Sequence, residues 1–166
     1  MTNYLYFYSH KPKQNGTEIY SQWYPCNFSE NNNKYTSTEQ YMMANKALLF
    51  NDKEIYEKIM KNKNPSTIKE LGRSIKNFDA DKWLENRENI VFNGNLLKFS
   101  QNPHLSTKLL STYPFILVEA SPYDKIWGIG LSESQAVKMD PNKWPGENLL
   151  GKALVKVRNQ LLSQKN

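Results

Sequence analysis

Apolar positions along the chain follow two periods, and the changes between them divide it into short strands and longer helices. Tyr4 to Tyr8 is a short aromatic run that predicts a strand. Gln22 to Phe28 predicts a second, irregular strand interrupted by Pro25, and Lys34 to Thr36 a brief third. The Asn31-Asn32-Asn33 run reads as a turn. Thr36-Ser37-Thr38-Glu39 fits the S/T-x-x-E capping box, which predicts a helix from Ser37 to Phe50. Asp52 can start another helix that reaches Asn62. Asn64-Pro65 then places a cap residue before a proline at the first helical position, with Ile68, Leu71 and Ile75 on one face. Asp79 can cap a longer helix through Phe99, with Trp83, Ile90, Leu97 and their neighbours turned inward. Asn102-Pro103 opens a short helix ending near Leu110.

Phe115 to Glu119 is a compact β-prone run that predicts a buried strand, followed by a loop from Ser121 to Gly130. Trp144-Pro145-Gly146 makes a turn before a last helix, Glu147 to Leu162. Leu150, Leu154, Val157 and Leu161 recur there at helical spacing, as core residues do. The expected architecture is α+β, helix-dominated with a small β-sheet, in a single domain over residues 1–166. No apolar stretch approaches the roughly 20 residues that a membrane-spanning helix needs. The first 28 residues lack the uninterrupted apolar centre of a secretory signal. Cys26 is the single cysteine, so no internal disulfide can form and a reducing, cytoplasmic setting is expected.

The net charge of +6 can attract phosphates on nucleotides or nucleic acid. Its make-up weakens that reading. Nineteen of the 22 basic residues are lysine, 20 residues are asparagine, and only Arg73, Arg87 and Arg158 are arginine. A Lys- and Asn-biased composition therefore explains much of the excess, as solvated lysine on helix faces. His10 and His104 belong to no cluster with metal-ligand spacing, so no metal is expected. No nucleophilic triad, phosphate-binding P-loop or three-glycine dinucleotide fingerprint is present, and no cofactor is expected.

Glu39 is the first candidate for chemistry. A Glu at the third helical position often completes a capping box, here with Thr36. It also lies in the positive field of a helix N-terminus, which keeps a carboxylate ionised and fit to activate water or stabilise positive charge. Lys46 follows seven residues later on nearly the same face, about 10 Å along the axis, and could hold a phosphate while Glu39 sits near the sugar. The same spacing also suits two solvated surface charges. The second candidate is the loop Ser121-Pro122-Tyr123-Asp124-Lys125-Ile126-Trp127-Gly128-Ile129-Gly130, which follows a predicted strand. Asp124 offers a second carboxylate and Trp127 a flat surface for a base, or core packing at a turn. Gly128 and Gly130 would admit a close backbone approach or a positive φ. Trp83, near the start of a helix, can be a buried residue or a pocket wall.

These motifs together resemble the YbiA-like (NADAR) family. Tyr35 through Ala47 is similar to its Tyr, Ser/Thr run, Glu-His-Tyr and Gln-Ala-Gln-Lys segment. Leu71-Gly72-Arg73, Trp83 with Arg87, and Gln101-Asn102-Pro103 look like its middle. Glu119-Ala120-Ser121, Tyr123-Asp124 and Ile126-Trp127-Gly128-Ile129-Gly130 match its most distinctive element, and Trp144, Gly146, Asn148, Leu150-Gly151, Leu154 and Arg158 close the match. The resemblance implies hydrolysis of an N-glycosidic bond at a ribose. The substrate would be a phosphorylated ribosylamino-pyrimidine of riboflavin synthesis or ADP-ribosylated guanine in nucleic acid. Carried over by position, Glu39 is the catalytic acid/base, Asp124 its catalytic partner, Trp83, Trp127 and Gly128 line the substrate pocket, and Lys46 contacts phosphate. Gln40 stands where the family commonly has His, Met43 and Asn45 where it has Gln, and Ser21-Gln22-Trp23 where it has a Ser-Asn-Phe element. Those positions are expected to line or support the pocket. A non-catalytic ADP-ribose or nucleotide-binding module is the alternative reading.

Overall fold

The computed structural model describes residues 2–165. In chain order the elements are β1 (Tyr4–Phe7), β2 (Phe28–Glu30), β3 (Asn33–Tyr35), α1 (Thr38–Leu49), α2 (Lys53–Met60), α3 (Pro65–Arg73), α4 (Ala80–Gln101), α5 (Pro103–Leu110), β4 (Ile116–Glu119), α6 (Glu133–Ala136) and α7 (Leu149–Gln164). Helix dominates, and the strands form two pairs, β1 with β4 and β2 with β3. No helix among the described residues is long and apolar enough to cross a membrane. The chain divides into two compact units, residues 22–102 and residues 1–21 with 103–166.

In the first unit α1 is the central helix, packed against α2, α3 and α4. Two glycines set the close approaches. A Cβ at Gly94 of α4 would stand 2.6 Å from the Tyr41 ring, and one at Gly72 of α3 would meet the Met43 side chain. Asp52 ties the next helix in twice: one carboxylate oxygen caps α2 at the Ile55 N–H, and the other accepts from the Lys76 N–H. The strand expected over Gln22 to Phe28 is not formed. That segment is irregular until Phe28, where β2 begins and pairs antiparallel with β3, Phe28 opposite Tyr35. Asn31 and Asn32 both take positive φ, 49° and 69°, which supplies the tight turn that closes such a hairpin.

The inward face of α4 is centred on neighbours of the named residues, one position along. Val91, Gly94, Asn95, Lys98 and Phe99 are buried, whereas Trp83, Ile90 and Leu97 are only partly so. Apolar periodicity misplaces this stripe because two of its members are polar. The Lys98 side chain is fully buried, its ammonium near the rings of Tyr24 and Phe99. Burial lowers its pKa to about 8, with the neighbouring Cys26 thiol acting in the opposite direction.

The second unit is built on the parallel pair β1 and β4, in register from Tyr4 opposite Ile116 to Phe7 opposite Glu119. Helix α7 packs along β4, with Leu150, Leu154, Val157 and Leu161 buried as the spacing predicts. Asn148, just before α7, has φ 55° and bonds both edges of one β4 peptide neighbourhood. Its Oδ1 accepts from the Glu119 N–H and its Nδ2 donates to the Leu117 carbonyl. A Cβ at Gly151 would collide with that same carbonyl at 2.1 Å, so α7 can lie this close only with glycine there. Gly146 to Leu150 donate their backbone N–H groups to carbonyls of residues 125–129, which caps the helix with the preceding loop.

Two stability outcomes follow. Asn148→Ala should destabilise the fold by about 3 kcal/mol, from two buried groups left unbonded. Asn148→Gly should recover little of it, because glycine restores the φ but neither bond; a Gly variant of wild-type stability in urea unfolding would contradict this role. For Lys98, the folded chain releases the ammonium proton at lower pH than the unfolded chain does. Stability of the wild type relative to Lys98→Met should therefore rise as pH increases from about 8 toward the ordinary lysine range. A difference independent of pH would contradict a buried ammonium.

Candidate active site

Helix α1 starts one residue later than the capping box of the sequence implies. Ser37, extended at φ −164°, is the N-cap, and its hydroxyl accepts from the Gln40 N–H at 3.1 Å. The reciprocal bond comes from Gln40, whose Oε1 accepts from the Thr36 N–H at 2.8 Å and the Thr36 hydroxyl at 3.2 Å. Gln40 thus takes the place expected for Glu39, and its Nε2 donates to the Ile59 and Asn62 carbonyls. A preceding segment completes the helix entry: the Gln22 carbonyl accepts from the Glu39 N–H at 2.9 Å and the Thr38 hydroxyl at 3.2 Å. Glu39 lies in the first helical turn, 4% exposed.

The structure brings Lys46 and Trp83 together with Glu39 in this unit. The Lys46 ammonium donates to the Gly72 carbonyl at 3.0 Å and sits 5.3 Å from the Trp83 ring centre and 4.9 Å from that of Phe78. Burial pushes its pKa below the ordinary lysine value, the Glu39 charge pulls it back up, and Arg73 lowers it again. The two charges of α1 therefore feel one another, in a half-buried setting where charge interactions are stronger than in bulk water. Of the open readings for this pair, two independently solvated charges is excluded.

Sequence reasoning missed two parts of this surrounding. Phe78 is one, and no pattern pointed to it. The other is Asn95, whose Nδ2 donates at 3.0 Å to the Oε1 of Gln22, a position that the resemblance marks as lining or supporting the pocket. Among the described residues, Gln22 Nε2 and Asn95 Oδ1 are buried without a hydrogen-bond partner. Buried amide atoms of this kind call for a specific explanation. For Asn95 the available signal was an Asn within the buried stripe of α4. The other departures from the family pattern are packing positions: Met43 lies at Gly72, and the Asn45 amide donates to the Tyr41 carbonyl.

Asp124, Trp127 and Gly128 lie on one loop of the second unit. The Asp124 Oδ1 accepts from the Ile126 and Trp127 N–H groups, both at 2.8 Å, and so shapes the turn that carries the Trp127 ring. Gly128 is required by its own loop. A Cβ there would stand 2.9 Å from the carbonyls of Asp124 and Glu119. The positive φ belongs to Gly130, at 75°. Among the described residues no group of three or more His, Cys, Asp and Glu side chains is placed to hold a metal ion.

Comparison with known proteins places the chain as a whole. N-glycosidase R617 of Acanthamoeba polyphaga mimivirus is 51% identical over 162 residues, 95% of each chain. The chloroplastic riboflavin biosynthesis protein PYRR of Arabidopsis thaliana is 28% identical over 155 residues, which cover 89% of this chain and 24% of that one. The NMR structure of the E. coli protein YbiA superposes with a TM-score of 0.80 at 25% identity, over 99% of this chain and 89% of that chain. The NADAR domain profile matches residues 6–162, a span that includes both units and each of the candidate residues, and the chain belongs to the NADAR domain family.

Proposed function

We propose that this protein is an N-glycosidase that hydrolyses the C–N bond between a ribosyl group and an amine or base. The observation that carries this reading is Glu39: a carboxylate buried in the first turn of α1, whose charge acts on the half-buried Lys46 of the same helix. Breaking a ribosyl C–N bond builds positive charge on the sugar and negative charge on the departing nitrogen. A carboxylate beside the anomeric carbon stabilises the first, and a proton delivered to nitrogen neutralises the second. Glu39 takes a proton from water as the water oxygen bonds to the anomeric carbon. The departing nitrogen receives one proton in exchange, so sugar hydroxyl and free amine are the products. Gln22 and Asn95, with their unbonded amide atoms, are suited to holding that water or a sugar hydroxyl.

Lys46 is the proposed contact to a substrate phosphate, backed by the rings of Trp83 and Phe78. On the loop of the other unit, Asp124 and Trp127 stay candidates by the family resemblance, with Asp124 setting the turn that carries the Trp127 ring. The names of the relatives support the two substrate classes unequally. R617 is named an N-glycosidase and PYRR a riboflavin biosynthesis protein. Candidate substrates are a phosphorylated ribosylamino-pyrimidine and ADP-ribosylated guanine in nucleic acid. A half-buried lone Cys26 suits the reducing cytoplasm as the place of action.

Incubation with each substrate class and mass spectrometry of the products separates hydrolysis from binding alone. Glu39→Ala should lower turnover by about 10²- to 10⁴-fold while ligand still binds. Unchanged turnover in a folded variant would remove the assignment, and ligand capture without product in the wild type would favour the binding module. Lys46→Met should raise KM for a phosphorylated substrate about tenfold or more, as loss of a charge-assisted bond does. Because burial lowers the Lys46 pKa, wild-type KM should begin to rise at a pH below that of an ordinary lysine. A KM flat to pH 10 or an unaffected Met variant would contradict the phosphate role.

A further inference from the structure

Strands β1 and β4 run parallel, so both deliver their following residues to the same edge of the second unit. Crevices outside the carboxyl ends of parallel strands are where open α/β sheets commonly bind ligands. A cavity of about 410 Å³ lies at this edge, lined by residues that follow the strand ends, among them Tyr8, Pro122 and Tyr123. Its volume falls in the range of roughly 300 to 1,000 Å³ typical of small-molecule sites.

The lining has two chemical characters. Tyr8 is 41% exposed and Tyr123 87% exposed, so two large rings face outward where water, and no side chain of the core, covers them. Tyr6, also in the wall, is held by the Tyr4 and Trp144 rings. The polar members are Lys13, Asn15, Thr17, Ser132 and Glu133. Asn15 is occupied by the Thr17 N–H and hydroxyl, and so serves the wall itself. Lys13 supplies a cation and Glu133 a carboxylate acceptor in the lining. Ring faces, one cation and one carboxylate match a planar heterocycle with exocyclic N–H donors and an attached phosphate.

We propose that this cavity is a nucleotide subsite: a nucleobase stacks on Tyr123 and Tyr8, its exocyclic amine meets Glu133, and its phosphate meets Lys13. The chemistry is shared by a free nucleotide and by one residue of a single-stranded nucleic acid. Aromatic faces of this kind bind bases with little sequence preference. The site uses none of Glu39, Lys46 or Trp83, and does not rest on the glycosidase reading.

The test is titration of the full chain with adenosine 5′-monophosphate and, separately, with a short single-stranded adenine oligonucleotide, followed by NMR. Tyr123 is exposed, so its replacement should leave the fold intact. Tyr123→Ala should weaken binding about tenfold, whereas Tyr123→Phe should bind like the wild type. Lys13→Gln should weaken binding and reduce its dependence on salt. Glu39→Gln should bind as the wild type does, so that loss of glycosidase activity and loss of this site are read separately. Binding of the mononucleotide identifies a free nucleotide as sufficient, and binding of the oligonucleotide alone identifies a strand; both sustain the proposal. Absence of binding to either probe at millimolar concentration, or equal affinity in Tyr123→Ala, overturns it.

Discussion

The candidate chemistry depends on the register of one helix cap. Had α1 begun at Thr36, Glu39 would have been the residue that closes the cap, its carboxylate committed to backbone. The N-cap is Ser37, and the closing amide is that of Gln40. Two bonds to the Gln22 carbonyl pin this register from outside the helix. A one-residue shift therefore gives the closing bond of the cap to Gln40, an amide that cannot take up a proton, in the place where the sequence offered an acid.

The rest of that unit keeps the acid in a demanding environment. Glycines at positions 72 and 94 let neighbouring helices approach α1 closely. The close approach of α3 places the Gly72 carbonyl within reach of the Lys46 ammonium. Seven residues after Glu39, Lys46 supplies the opposite charge, and Trp83 and Phe78 cover it with ring faces, an arrangement favourable to a cation. Burial and charge pull the lysine in opposite directions. Such opposed pressures are common where groups must change protonation during work.

Much of this was legible in the sequence. The helices were, because their caps are side chains written in the chain: Asp52, Asn64 and Asp79 each bond the N–H groups their positions predict. The helical spacing of α7 was legible for the same reason that it is buried, a plain apolar stripe. The irregular segment after Gln22 was not, since its order comes from the carbonyl bonded to α1 and leaves no periodicity. The inward face of α4 was obscured by Asn95 and Lys98, polar residues that the interior accommodates through bonds and ring contacts. At the site, Glu39 and Lys46 could be paired by spacing, but the exchange of roles between Glu39 and Gln40 could not. For Gly128 the close backbone approach was legible, but not that the approaching groups include the carbonyls of Asp124 and Glu119.

The central claim is that the Glu39 carboxylate takes part in the bond-breaking step. Its most direct measurement is the single-turnover rate of ribosyl C–N cleavage with enzyme in excess, comparing wild type with Glu39→Gln, which keeps the shape and removes the charge. The account predicts a rate constant lower by about a hundredfold or more, with substrate still bound. A rate constant within a few-fold of the wild type would contradict it.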